Sequence, residues 1–180
     1  PASVGSSFAL VKSSQGFAVS TSDTQSSAYI ENCFNSTYRD YLIFITGTIS
    51  TTQGDLYFRL GNSDGRLETN SYRFVIKTYD TANNSRNFRG DGQTFAGLLN
   101  GAKGAANGNH ISITMTIHNP QGTGANAWSG TSSHGRAGVA YFVNYFGGDA
   151  NVNFQATNMQ FYQSSGTANL NFQSYGIKTS

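Results

Sequence analysis

Apolar and polar residues alternate with a period of two along much of the chain. Ile111, Ile113, Met115 and Ile117 fall on one side of an extended segment, with Ser112, Thr114 and Thr116 on the other. That pattern predicts a strand with one buried face. Leu56, Phe58 and Leu60 alternate with Tyr57 and Arg59, and Tyr72, Phe74 and Ile76 with Arg73 and Lys77. Residues 41–45 are apolar at every position, which predicts a central strand covered on both faces. The aromatic-rich run 139–146 reads the same way. Shorter candidate strands are 8–12, 16–20, 28–33, 152–157, 159–162 and 170–177.

Turn signals separate these runs. They are Gln53-Gly54, the stretch from Asn62 to Gly65, Asn107-Gly108, Pro120-Gln121-Gly122 and Gly147-Gly148-Asp149. Gly and Asn tolerate the backbone conformations that tight turns require. Many short strands so spaced predict an all-β fold, an antiparallel jelly-roll-like β-sandwich in a single domain. Residues 28–180 form that sandwich, and residues 1–27 are an N-terminal attachment segment or edge strands. Two long Gly/Asn-rich loops are expected at 81–109 and 121–136. A short helix at 92–99, inside the first, is the one helical candidate. Loops of this length in a compact domain are usually functional or mobile.

Composition narrows the function classes. Charged residues are 11% of the chain, against about 25% in an average soluble domain, and aromatics are 13%. The polarity therefore comes from Ser, Thr, Asn, Gln and Gly, residues that suit turns and strand faces. The net charge of +2 and the scattered basic residues argue against a nucleic-acid partner, which calls for a patch or stripe. The nearest basic pair is Arg86 and Arg89. No apolar run approaches the ~18 residues of a membrane-spanning helix, so no membrane insertion is expected. The opening residues lack the basic start and apolar run of a secretory signal. Pro1 is either a natural start after loss of Met or a fragment boundary. Cys33 is the single cysteine, so no intrachain disulfide forms.

Candidate chemistry is sparse. His110 and His118 bracket one strand about 26 Å apart at ~3.3 Å per residue, too far to share a metal. No metal site and no cofactor are implied. A G-x-S-x-G elbow is missing, and Cys33 reads as a buried structural thiol. Ser132-Ser133-His134 permits a Ser/His arrangement of the kind any Ser-rich loop permits. The nine acids show no spacing that predicts the facing pair of a glycan hydrolase. Asn62, Asp64 and Glu68 lack calcium-loop spacing and read as a tight turn. Carbohydrate binding has more support. Trp128, the only Trp, has Asn126 and His134 nearby, and Tyr79, Arg86 and Arg89 accompany the other long loop. A sugar face stacks on such rings while amides and guanidinium groups hold its hydroxyls. The alternative is a Trp that plugs the end of the sandwich or packs on a neighbouring subunit.

A resemblance adds to this reading. The stretch from Ile30 to Ile45, an aromatic-bearing strand, a polar Ser36-x-Tyr38-x-x-Tyr41 turn and then an apolar strand, resembles virion proteins of tailed bacteriophages, cyanophages included. Asp55 to Leu60 followed by Asn70-x-Tyr72 is similar to the next part of that pattern. Ile113 to Pro120, with its terminal Asn119-Pro120, and Phe172 to Ile177, with Tyr175-Gly176, resemble the later strands. The resemblance covers residues 28–178. It implies a non-enzymatic protein on the virion surface, as a capsid decoration, a knob or a tail appendage, assembled in the bacterial host cytoplasm. The partners it implies are other virion proteins and a host-surface glycan, and a trimeric homo-oligomer is compatible with it. Two rivals stand beside it: a carbohydrate- or receptor-binding tail-fibre tip, and a small glycan hydrolase or depolymerase.

Overall fold

The computed structural model describes residues 7–21, 28–49, 54–65, 67–82, 84–102, 109–136, 140–150 and 154–178. Among them are twelve strands and no helix. The first six are β1 (Phe8–Val19), β2 (Tyr29–Ile30), β3 (Asp40–Ile49), β4 (Gly54–Gly61), β5 (Tyr72–Asp80) and β6 (Ser85–Gln93). The rest are β7 (Ala96–Ala102), β8 (Asn109–His118), β9 (Asn126–Arg136), β10 (Ala140–Ala150), β11 (Asn158–Gln163) and β12 (Ala168–Ile177). They build an eight-stranded sheet in the order β1-β12-β3-β8-β9-β10-β5-β6 and a four-stranded sheet in the order β2-β11-β4-β7. The pairings are antiparallel, as in β3–β8 and β4–β11. The two sheets pack as a β-sandwich.

The core lies between the sheets. The large sheet contributes Tyr41, Ile43, Ile45, Ile113, Met115 and Phe172, and the small one Leu56, Phe58, Leu60, Leu98, Met159 and Phe161. β8 follows its alternation, with Ile111, Ile113, Met115 and Ile117 buried and His110, Ser112 and His118 exposed. Tyr72 ties the sheets together. Its hydroxyl, carried on β5, accepts the Leu60 N–H of β4 at 2.7 Å. β7 pairs with β4 only as far as Phe58, so Leu60 gains this partner from the opposite sheet. Tyr72→Phe is expected to orphan a buried donor and lower stability by about 1–2 kcal/mol, read from the urea midpoint.

Several expectations change. β3 lies inside the large sheet, but it is not covered on both faces: Leu42 is half-buried and Phe44 is 37% exposed. Among the described residues no second layer covers the outward side of that sheet over Phe44, which packs edge-on to Tyr175 at 5.9 Å. Residues 81–109 are not one loop. They contain β6, the edge of the large sheet, and β7, the edge of the small one. The expected helix at 92–99 is the end of β6, a short crossing between sheets, and the start of β7 with Leu98 and Leu99 buried. Gly90, Gly92, Gly97 and Gly101 there lie within strands. A Cβ on Gly90 would come 2.4 Å from the Phe74 ring, so glycine is what lets that ring lie against β6.

Residues 121–136 likewise hold β9 rather than a long loop. At the N-terminus, 8–12 and 16–20 are one strand, β1, hydrogen-bonded along β12 with register breaks between Leu10/Lys12 and Ser14/Phe17. β1 is thus an edge strand of the sandwich, and residues 1–6 and 22–27 lie outside the described residues. The candidate at 28–33 shrinks to Tyr29–Ile30. Residues 154–157 are not strand, and 151–153 lie outside the described residues. The turn at Asn62 forms as read, with the Gly65 N–H donating to Asn62 O at 3.1 Å and the Asp64 N–H to Asn62 Oδ1 at 3.1 Å.

Candidate functional site

The outward face of the eight-stranded sheet is where exposed rings collect. In β5 the inward residues are Tyr72, Phe74, Ile76 and Thr78, so Arg73, Val75, Lys77 and Tyr79 point out. In β10 Phe142, Asn144 and Phe146 point in, and Tyr141, Val143 and Tyr145 point out. Tyr141 and Tyr145 are 50% and 55% exposed, Tyr79 47% and Val75 52%. Tyr79 and Tyr145 meet edge-to-face at 6.1 Å, and the Lys77 ammonium sits 5.5 Å from the Tyr79 ring centre. Such a cation over a ring is held by the ring quadrupole. Lys77 Nζ also donates to Ser85 Oγ on β6 at 3.3 Å. Lys77, Tyr79, Val143 and Tyr145 line a cleft of about 600 Å³. Next to it, Arg73 forms a bidentate pair with Asp149 at 2.8 and 2.6 Å.

A second cleft of about 340 Å³ opens at the other end of the same sheet, lined by Ser13, Phe44, Thr46, Asn171 and Gln173 among others. It sits where β1 breaks register with β12, and there the Gly16 N–H donates to Asn171 Oδ1 at 2.9 Å. Between the clefts the outward residues of β8 and β9 are small and hydroxylated: Ser112, Thr114 and Thr116 face Ser133, Thr131 and Ser129.

The residues singled out from the sequence separate. Trp128 is 2% exposed, edge-on to Phe58 at 5.2 Å and tilted against Tyr72 at 5.9 Å. It is core, and its ring cannot serve as a sugar platform. Asn126 is fully buried, its Nδ2 donating to Phe154 O at 2.7 Å, and His134 is 1% exposed. The reason is parity: Asn126, Trp128, Ser132 and His134 alternate on β9 and share its inward side. Tyr79 and Arg89 do lie on the outward face, since Val75 pairs with Arg89 and Tyr79 with Ser85. Arg86 is opposite the inward-facing Thr78 and is exposed on the other side of the β6 edge. Sequence reasoning missed Phe44, Val143 and Tyr145 as surface residues, because apolar positions on both strand faces were read as burial on both.

Behind the Tyr79–Tyr145 cleft lies a buried polar network centred on Asn144. Thr78 Oγ1 donates to Asn144 Oδ1 at 2.7 Å, and Asn144 Nδ2 donates to Ser132 Oγ at 3.0 Å. Ser132 Oγ donates to Leu98 O of the small sheet at 2.9 Å. Asn144 Nδ2 also lies 3.4 Å from His134 Nδ1, a contact in which an unprotonated Nδ1 accepts. The His134 ring stacks on Phe142 at 4.9 Å, and burial lowers its pKa to about 4. It is a neutral core residue, and Ser132 spends its proton on a backbone carbonyl, so the Ser/His pair is structural.

The remaining groups have structural partners too. Cys33 is buried, donates to Ile30 O at 3.0 Å, and burial pushes its thiol pKa up. Native protein is therefore expected to leave Cys33 unlabelled by maleimide while urea-unfolded chain labels fully. Asp80 Oδ1 accepts the Ala82 and Asn84 N–H groups, each at 2.9 Å, and Glu68 Oε1 accepts Asn70 N–H at 2.7 Å. Asp55 Oδ2 accepts the Tyr57 hydroxyl at 2.8 Å. No cluster of three or more His, Cys, Asp or Glu fit to hold a metal occurs among the described residues. No family model matches the chain, and neither a curated protein nor a solved structure matches it.

Proposed function

We propose that this chain is a non-catalytic surface module that works by presenting the outward face of its eight-stranded sheet, displayed on the particle of a tailed phage. One observation carries the first half: Phe44, Val75, Tyr79, Tyr141 and Tyr145 stand exposed on a single sheet face. Exposed rings grouped on one face are a mark of interaction surfaces. The clefts at both ends of that face give a ligand or partner somewhere to seat. The second half is supported by the order of the phage-like segments. Those segments, 30–45, 55–60, 70–72, 113–120 and 172–177, run in chain order through β3, β4, the start of β5, β8 and β12, together with the turns before β3 and after β8.

In this reading the fold is a jelly-roll-like display scaffold on the virion surface, as a capsid knob or tail appendage in contact with other virion proteins. Mass spectrometry of purified phage particles from the source culture tests the placement. Recovery of the chain at a fixed copy number per particle supports it. A chain found only in the particle-free lysate sinks it.

A further inference from the structure

Resting on the reading of the outward face as a binding surface, we infer that this face binds a linear acidic polysaccharide laid across the strands, held by an aromatic subsite at each end. The register places the elements in one row. Gln173 of β12 is opposite Phe44 of β3, Phe44 opposite Thr114 of β8, and Thr114 opposite Thr131 of β9. Thr131 is opposite Tyr145 of β10, and Tyr145 opposite Lys77 of β5. Phe44 and Tyr145 are therefore three strand spacings apart, roughly 14 Å at ~4.8 Å each.

The chemistry of the row is that of a sugar chain. The apolar C–H faces of two sugar rings stack on Phe44 and Tyr145, 37% and 55% exposed. Between them the Thr114 and Thr131 hydroxyls both donate and accept, as sugar hydroxyls do. At the β12 end the Gln173 amide, which lines the Phe44 cleft, does the same. The charge sets the class. Asp149 is already paired with Arg73, and among the described residues the cation lining the Tyr145 cleft is Lys77, while Arg89, one row along on β6, lines the neighbouring groove with Asp91. A carboxylate on the sugar at that end meets Lys77.

A second copy of the chain or another protein is a poorer occupant, because the middle of the face is a field of Ser and Thr hydroxyls rather than a continuous apolar core. Several modest contacts in a line also suit a repeating polymer better than a compact ligand, since each adds to the next.

Calorimetric titration with oligogalacturonate, against a neutral cello-oligosaccharide of equal length, tests the inference. The acidic chain is expected to bind more tightly, with affinity falling as salt rises. Phe44→Ala and Tyr145→Ala should each weaken binding about tenfold, a step of about 1.4 kcal/mol, with the chain still folded and its thermal midpoint lowered only slightly. Lys77→Gln should abolish the preference for the acidic chain and spare the neutral one. Absence of binding by either chain at millimolar concentration overturns the inference. So does equal binding of the two chains. Loss on Tyr145→Ala with Phe44→Ala silent overturns the two-subsite arrangement. Sedimentation of the same variants covers the remaining outcome: an oligomer that either substitution disperses makes the face a subunit interface and sinks the glycan reading. None of these results bears on whether the chain is recovered from particles, so the two readings fail separately.

Discussion

Trp128→Ala is expected to destabilise the fold by about 3–5 kcal/mol, the usual cost of truncating a large core aromatic, a large share of the roughly 5–15 kcal/mol by which a domain is ordinarily stable. Trp128 joins the sheets. It stands on β9 of the large sheet and meets Phe58 of the small one at 5.2 Å and Tyr72 of β5 at 5.9 Å. Its place also depends on Gly148, the residue opposite on β10. A Cβ on Gly148 would lie 2.8 Å from Trp128 Cζ2 and 2.2 Å from Arg73 O. Chemical unfolding of Trp128→Ala beside Tyr145→Ala makes the comparison. The second ring is 55% exposed, so its loss should change stability by no more than about 0.5 kcal/mol. Equal loss in both variants would mean that the packing of β9 against β4 is not what holds the sandwich together. The same pair reverses for binding, where Tyr145 matters and Trp128 acts only through the fold.

That contrast shows what was legible in the sequence. The strands with large apolar residues on one parity, β5 and β8, can be read directly, because their buried side differs from their exposed side in kind; β4 shows the same alternation, yet Tyr57 and Arg59 on its other side are buried too. β9 cannot be read that way. Its inward residues are Asn126, Trp128, Ser132 and His134 and its outward ones Ser129, Thr131 and Ser133, so both sides look polar and the segment resembles a loop. Hydrogen bonds replace hydrophobic burial as the inward signal there, and their partners, Phe154 O and Leu98 O, are distant in sequence. β3 and β10 fail in the opposite sense. Phe44, Tyr141 and Tyr145 make both sides look apolar, yet only one side has a sheet to pack against. The surface read from the long loops is therefore displaced to the sheet face, and of the six residues first proposed for it Tyr79 and Arg89 are the ones that face outward there.

The buried network behind that face makes stability depend on pH, in a direction fixed by His134. Burial lowers the His134 pKa to about 4, from an ordinary value of 6.5 in the unfolded chain. Between those values the unfolded chain binds a proton that the folded one does not, so stability rises with pH across this window. The contribution is complete above pH 6.5 and is lost as pH falls towards 4. At 1.36 kcal/mol per pH unit the full loss is about 3 kcal/mol, of which about 2 kcal/mol is gone by pH 5. Protonation also turns Nδ1 from an acceptor into a donor, so the ring would confront Asn144 Nδ2 donor to donor at 3.4 Å. Asn144 would then have to release Ser132 or Thr78, which weakens the link between β10, β9 and the Leu98 carbonyl of the small sheet. Asp80 acts in a lower range. Its carboxyl, held below the ordinary value by Asn84, loses its contribution only as pH falls through that depressed value. Urea midpoints at pH 8 and pH 5 separate the two effects, because His134→Gln should remove most of the difference between them whatever its own cost at pH 8. A slope that survives the substitution would place the titrating group elsewhere and leave the Asn144 network as neutral packing.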